Sequence, residues 1–305
     1  MLKDWMMRCA VAMPVRYTKK QRARFISAME SYGQQKGYRT EIIGEKGQKC
    51  AHLAFGNIDT AKVIVAAGYD TPLMMWFKPG YYPFYNEGNI QNYRIESIIR
   101  TLIGLIIMCL GFGIWFLFKD TNFWLGIIIF AIMVLLAIFG VITPMKNKTN
   151  FERNSAAVAL LMEMVETQSI KNDVAYVLMD QTVNANIGIG VLANRLKHHP
   201  LVIMLDALAN GKTIVAADND KTIESIVLPE AMHAKYHYYD ETKSNQNRFM
   251  YYAPLLVLAA GEVSNGQFIV PLANSSKDVQ LNMERLQQFV QWINMIIDQW
   301  IKGGH

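Results

Sequence analysis

Two long apolar segments near the middle of the chain constrain its fold more than any other feature. Residues 101–118 and 123–145 contain no charged side chain, and only the four polar residues 119–122 separate them. A helix rises about 1.5 Å per residue, so about 18 residues reach about 27 Å, close to the thickness of a membrane's hydrocarbon core. Core helices of soluble proteins rarely stay uncharged over such lengths. We therefore predict two transmembrane helices that form a hairpin in the lipid bilayer.

Charged residues beside the two segments predict the orientation of the hairpin. Arg94 and Arg100 precede the first segment, and Lys146, Lys148 and Arg153 follow the second, whereas the connecting loop carries one lysine and one aspartate. The positive-inside rule places the soluble part and both termini in the cytoplasm, with the chain crossing the cell membrane twice. The N-terminal residues lack the long apolar core of a signal peptide, which agrees with this orientation.

Charge and cysteine content narrow the class of protein. The net charge is +5, and no run of basic residues is interleaved with aromatic ones, so we expect no nucleic-acid partner. The three cysteines, Cys9, Cys50 and Cys109, match no metal-binding or redox spacing. They indicate a reducing compartment rather than a disulfide framework.

Strand and helix patterns alternate in the rest of the chain. Apolar runs rich in β-branched residues indicate buried strands, such as residues 173–180 and 200–206. Helical patterns follow, including one that Asn154 is predicted to cap and an amphipathic helix at the end of the chain. This alternation predicts an α/β fold with a mixed sheet. The expected parts are a first cytoplasmic segment (1–93), the membrane hairpin (94–148) and a second cytoplasmic segment (149–305).

Five segments follow one another along the chain as KVIVAAGYDT, ERNSAAVALLMEM, DVAYVLMDQTVNANIGIG, PLVIMLDALANG and FIVPLANSSKDVQLNMERLQQFV. In this order they resemble the motifs of the co-catalytic zinc aminopeptidases, the metallopeptidase family that includes glutaminyl cyclase, the transferrin receptor ectodomain and nicastrin. The resemblance covers roughly residues 18–75 and 150–302. It implies an α/β/α sandwich of the zinc-aminopeptidase type, interrupted by the transmembrane hairpin.

The resemblance also implies where a two-zinc site would lie. In that family two zinc ions share a bridging carboxylate and a water, and a glutamate takes the proton from the water. The first histidine ligand falls on Gly68, although Asp70 of the same motif remains. The bridging aspartate falls on Arg153, just before Asn154, and a later aspartate ligand is present as Asp206.

Two further positions complete the expected site. The general-base glutamate and its neighbouring ligand fall just beyond Asp180, near Thr182 and Val183. The last histidine falls on Asn274, four residues ahead of Asp278. No acidic residue occurs between Asp180 and Asp206, and the only histidine after position 237 is the terminal residue. The base and the last ligand are therefore missing in any alignment, and we expect neither a metal nor another cofactor.

Arg153 argues further against metal binding, because a guanidinium would place a permanent positive charge where two cations should lie. We expect it to pair with Asp70 and Asp206 instead, in a vestigial salt-bridge cluster. The alternative is a shift of one residue, which gives Glu152 the place of the bridging carboxylate.

A second group of possible ligands lies at residues 233–241. His233 and His237 are four residues apart, and Asp240 and Glu241 follow them. Two histidines at this spacing share one face of a helix, which is a possible metal-binding arrangement. The segment lacks the glutamate of a His-Glu-x-x-His motif and contains three tyrosines, so we interpret it as a surface loop.

Three functions remain open from the sequence. The leading one is a catalytically inactive, peptidase-like membrane protein that acts as a binding or scaffold module for a peptide or protein partner, which another membrane protein could supply. The second is a membrane-bound aminopeptidase-like hydrolase with a rearranged single-metal site built from Asp70, Asp206 and either Glu152 or His237. The third is an accessory subunit of a membrane transport complex. Five hairpin glycines either pack the two helices together or contact such a partner: Gly104, Gly111, Gly113, Gly126 and Gly140.

Overall fold

A computed structural model provides the structure of the chain. It describes residues 1–44, 50–143, 145–183, 187–227, 232–239, 249, 251–252 and 254–303. Among them, nine strands belong to one sheet. The strands are β1 Thr40–Ile43, β2 His52–Phe55, β3 Val63–Gly68, β4 Val174–Met179, β5 Leu201–Asp206, β6 Thr213–Asp218, β7 Lys235–Tyr238, β8 Leu255–Ser264 and β9 Gln267–Ile269.

Helices cover the sheet and form the hairpin. They are α1 Leu2–Met7, α2 Lys19–Gln35, α3 Asn86–Phe118, α4 Phe123–Ile142, α5 Ala156–Thr167, α6 Ile187–Arg195, α7 Glu224–Val227 and α8 Met283–Lys302. One π-helical turn, Arg8–Ala12, continues α1, and another, Phe151–Ser155, precedes α5. Asn154 does not cap α5 as the sequence suggested. It has φ +83° inside the π turn, and helical geometry begins only after it.

The centre of the sheet is parallel and buried. The strand order is β1-β2-β4-β3-β5-β8-β6-β7, with β9 paired to β8, and β4, β3, β5 and β8 run parallel to their neighbours in that group. Every residue of β3, β4 and β5 is buried, as expected for strands covered by helices on both faces. Their carboxyl ends lie side by side, with Gly68 opposite Met179. This edge of the sheet is where the candidate site lies.

Two apolar clusters fill the space on the two faces of the sheet. One contains α5 and α8 together with α1 and α2, and the other contains α6. In α8 the predicted apolar stripe is buried, including Leu286, Phe289 and Ile293. The result is the α/β/α sandwich with a mixed sheet that the sequence predicted.

The hairpin helices are long and apolar enough to cross a membrane. Only 11% of the most apolar window of each helix is buried, so neither is a core helix of the soluble domain. α3 begins at Asn86 rather than at residue 101, because the polar residues before Arg100 continue the same helix. α4 ends at Ile142, since the residue before Pro144 is extended.

Three of the five hairpin glycines lie where the two helices contact each other. A Cβ at Gly104 would lie 2.8 Å from Val141, one at Gly111 2.7 Å from Met133, and one at Gly126 3.1 Å from Trp115. These three glycines therefore allow α3 and α4 to approach closely. A Cβ at Gly113 or Gly140 would meet no heavy atom within 4 Å, so these two glycines face outward.

Candidate functional site

A small cavity lies at the carboxyl ends of β3, β4 and β5. It measures about 20 Å³, room for about one water molecule. Its lining includes Gly68, Arg153, Thr182 and Asp206, four of the positions that the resemblance identified. Ligands of α/β proteins usually bind at this edge of the sheet. Side chains of the protein itself fill it here.

Asp70 is held by the loop that follows β4. Its carboxylate accepts hydrogen bonds from the backbone N–H of Thr182 and of Val183, both 3.0 Å, and from the Thr182 hydroxyl at 2.6 Å. The same Thr182 side chain occupies the space beside Gly68, closer than any real Cβ contact would allow. A larger residue at position 68 would therefore require Thr182 to move. That movement would disturb one of the three hydrogen bonds that the Asp70 carboxylate accepts.

Arg153 lies buried at the centre of the cavity. Its guanidinium donates to the Asn274 side-chain oxygen at 2.9 Å and lies 3.8 Å from the centre of the Tyr81 ring. Burial lowers the pKa of Arg153, but Tyr93, Tyr81 and Asp206 outweigh it and leave the pKa raised. The positive charge is therefore a permanent part of this cavity.

Asp206 and Asp70 do not share Arg153 in the way that the sequence suggested. Asp206 accepts a hydrogen bond from the Tyr81 hydroxyl at 2.6 Å, and its charge acts on Arg153. Asp70 is bound to the loop after β4 instead, and its backbone carbonyl accepts from the Asn154 amide. The expected cluster of one arginine with two aspartates is thus wrong in its Asp70 half, because the loop N–H groups hold that carboxylate.

Glu152 faces a different cavity from Arg153. That cavity measures about 180 Å³ and lies beside Asp278 and Glu262. The Asp278 carboxylate accepts from the backbone N–H of Glu152 at 2.7 Å, and Glu152 does not line the cavity that contains Arg153. The one-residue shift that would bring Glu152 to the bridging position is therefore wrong. Burial, followed by the charge of Asp278, raises the pKa of Glu152 to about 9.

Asp180 belongs to a separate polar group at the end of β4. It forms an ion pair with Arg22 at 3.0 Å and accepts from the backbone N–H of Ala51 at 3.1 Å. Burial raises its pKa to about 6. The backbone N–H of Asp180 donates to His52, whose other ring nitrogen lies 3.6 Å from the Cys50 sulfur.

Cys50 and His52 resemble a nucleophile and its base, but their environment opposes that role. Burial raises the pKa of Cys50 to about 12 and lowers that of His52 to about 4. The thiol and the imidazole therefore both stay neutral, whereas a catalytic cysteine needs a stabilised thiolate. We interpret the pair as part of the polar packing that holds Asp180.

Arg16 and Tyr81 contribute to this region, and no sequence pattern pointed to either. Arg16 is completely buried and donates to the carbonyls of Tyr69, Cys9 and Met13 and to the Ser155 hydroxyl. It ties the N-terminal segment to the end of β3. An arginine in a loop that follows a proline carries no motif, so only the three-dimensional contacts reveal it.

The second group of possible ligands does not form a metal site among the described residues. His237 lies on β7, exposed at the sheet edge and three strands from β5, roughly 14 Å away. Asp240 and Glu241 fall outside the residues that the structure describes. His233 has φ +50° and precedes β7, so the two histidines do not share a helix.

The side chains of the cavity do not fit a pair of zinc ions. Zinc sites use histidine, cysteine or carboxylate ligands in a converging set. Within the part of the chain that the structure describes, no three such residues converge. Arg153 would repel any cation there. The single-metal alternative fails as well, because Glu152 lines the other cavity and His237 lies on β7, three strands from Asp206.

No family model matches the chain, and no curated protein matches it. Solved structures do. The chain resembles the LapA aminopeptidase of Legionella pneumophila in two structures, with TM-scores of 0.53 and 0.54 and identities of 10% and 11%. The chain has the aminopeptidase fold. The matches cover 98% and 97% of this chain and 70% and 74% of LapA.

A TET aminopeptidase from a marine sediment archaeon of the Thaumarchaeota is also similar. Its TM-score is 0.50 at 9% identity, and 99% of both chains are covered. At such identities the likeness concerns the fold and not the chemistry. The aminopeptidase-like fold that the sequence predicted is confirmed, and the function depends on the residues of the cavity.

Proposed function

We propose that this protein is a catalytically inactive, membrane-anchored protein with an aminopeptidase-like domain that binds a peptide or protein partner. The observation that carries the proposal is the side chain of Arg153, which takes the centre of the cavity where a bridging carboxylate would be needed. Thr182 fills the space beside Gly68, and Tyr81 bonds Asp206. Each change removes a metal ligand or covers one.

The cavity that contains Arg153 is too small to hold a peptide, so the proposed partner would bind elsewhere on the surface. A volume of about 20 Å³ admits no peptide terminus, so a partner would bind outside the former cleft. The outward glycines Gly113 and Gly140 leave small-residue positions free on the hairpin. Membrane helices often meet at such positions, which supports a second membrane protein as the partner.

Membrane anchoring is supported by the hairpin and its flanking charges. α3 and α4 each carry an uncharged stretch long enough to span a membrane. The ends of the two helices that join the soluble domain are flanked by basic residues, namely Arg94, Arg100, Lys146 and Lys148. We place these charges, the soluble domain and both termini in the cytoplasm of a two-pass protein of the cell membrane.

Metal content and peptidase activity test the proposal together. We expect the detergent-purified protein to hold less than about one tenth of an equivalent of zinc and to release no amino acid from aminopeptidase substrates. The test variant is Asp206→Ala, and its matched control is Asp220→Ala, a partly exposed aspartate that caps a 3₁₀ turn and does not line the Arg153 cavity. One or two equivalents of zinc that are lost, together with activity, in Asp206→Ala alone would overturn the inactive assignment.

A further inference from the structure

A cavity beside the hairpin lies where the soluble domain meets it. It measures about 210 Å³, about ten times the volume of the former cleft. Arg100 lines it from α3, as the last charged residue before the uncharged stretch, and Val141 lines it from the end of α4. The loop after β3 supplies Leu73 and Met74, and the backbone of Leu73 pairs with Lys146 just after α4. The cavity is therefore at the boundary between polar and apolar helix residues.

Arg100 is held in place by Glu96, which also lines the cavity. Its Nε donates to Glu96 at 2.9 Å, and one of its terminal nitrogens donates to the Met74 carbonyl at 2.9 Å. Glu96 also accepts from the backbone N–H groups of Trp76 and Phe77, at 3.1 and 3.0 Å. A guanidinium carries five N–H donors, so Arg100 keeps donors for a ligand in the cavity.

The cavity has a polar side and an apolar side. The charged residues of its lining are Arg100 and Glu96, and Lys146, whose backbone pairs with the lining residue Leu73, is exposed beside it. Leu73 and Val141 provide the apolar side, and Trp76 and Phe77 are 55% and 41% exposed beside them. Exposed tryptophan at this level is typical of the membrane–water interface. A ligand that matches both sides carries a negative headgroup and an apolar chain.

We propose that this cavity binds the phosphate group of an anionic phospholipid, with the acyl chains lying along α3 and α4. Basic pockets at the cytoplasmic ends of membrane helices hold such headgroups through guanidinium and ammonium donors. The inference rests on the membrane-spanning half of the proposed function and is independent of whether the protein is catalytically inactive.

Native mass spectrometry of the full chain in detergent tests the site. We expect phosphatidylglycerol to bind at least about tenfold more tightly than phosphatidylcholine. Arg100→Gln should remove that preference, whereas Arg94→Gln, the same change of charge on an exposed residue of α3 outside the cavity, should keep it. Ser97→Leu fills the cavity without removing a charge and should also weaken binding. It keeps the test decisive if Arg100→Gln unfolds the protein.

Several results would overturn the inference. They are equal binding of the two lipids, an equal loss in Arg94→Gln, or equal binding of soluble glycerol 3-phosphate, which would make this a site for free phosphate. Alkaline carbonate extraction of membranes that contain the protein separates the two proposals. Release by carbonate would contradict membrane spanning itself, whereas retention without lipid preference would contradict only the lipid site.

Discussion

Gly68 and Thr182 share one small space at the carboxyl edge of the sheet. Thr182 donates to Asp70 and at the same time fills the volume that a side chain on residue 68 would need. The two residues are far apart in sequence but meet at neighbouring carboxyl ends of parallel strands. Glycine at one position and threonine at the other therefore form one packing unit.

We predict that Gly68→Ala destabilises the protein by about 1–3 kcal/mol, because the new methyl group has to displace Thr182. Thr182→Ala should cost about 1–2 kcal/mol through the lost hydrogen bond to a buried carboxylate. The double variant should cost less than the sum, since each change relieves the other. Thermal unfolding of the four proteins in detergent measures the coupling, and strict additivity would show that the residues do not compete for one space.

Buried carboxyl groups make the stability depend on pH in an unusual direction. Burial raises the pKa of Glu152 from 4.5 to about 9 and that of Asp278 from 3.8 to about 7. The folded chain then binds more protons than the unfolded chain within these ranges. Stability is therefore highest below pH 4 to 5 as far as these groups are concerned, and it falls as the pH rises through the folded pKa values.

We predict that the melting temperature decreases from pH 6 to pH 9, and that Glu152→Gln makes this decrease smaller because glutamine has no proton to lose. Glu284→Gln, an exposed residue in the first turn of α8, serves as the control and should leave the slope unchanged. A flat profile for the natural protein, or an identical slope in Glu152→Gln, would contradict the assigned pKa of Glu152.

At the scale of elements, the sequence predicted what depends on long regular patterns. β3 and β4 are runs of six apolar residues, and β5 is a run of five that ends at Asp206; such a run is recognisable wherever it lies in the chain. The start of α3 was missed because hydropathy detects only its apolar part. The sequence also did not predict that Tyr81 lines the cavity beside Asp206. Tyr81 lies in a loop, and its hydroxyl donates to Asp206, which is 125 residues further along the chain. No local sequence pattern predicts a contact between residues so far apart.

The contact between α3 and α4 gives a matched pair of glycines two residues apart. We predict that Gly111→Val lowers the melting temperature of the detergent-purified protein, because a Cβ there meets Met133 on the facing helix. Gly113→Val should leave it unchanged, since its side is open. Equal effects of the two variants would show that the helices do not pack as described. Loss of a co-purifying membrane protein in Gly113→Val alone would identify that open face as its binding surface.

For the whole molecule, the place of the hairpin and the closing of the cleft are connected. The hairpin lies in the connection between β3 and β4, two neighbouring parallel strands, and it leaves from the carboxyl end of β3. The cavity that contains Arg153 lies at the same edge. Tyr93 of α3 contributes to the electrostatic environment of Arg153 and lines the cavity at the membrane boundary. The carboxyl edge of the sheet, where ligands of α/β proteins usually bind, is thus the edge from which the hairpin leaves.

The orientation of the chain follows from the same arrangement and can be measured directly. We predict that Thr121→Cys, in a Cys109→Ala background, reacts with a membrane-impermeant maleimide in intact cells, because the proposed orientation puts the loop between α3 and α4 outside. Lys3→Cys, at an exposed position and in the same background, should react only after the membrane is permeabilised. Cys9 and Cys50 are buried and should stay unlabelled in both proteins. Labelling of the Lys3 variant alone in intact cells would reverse the orientation, and it would place the basic ends of both helices, together with the proposed lipid site, on the outer face.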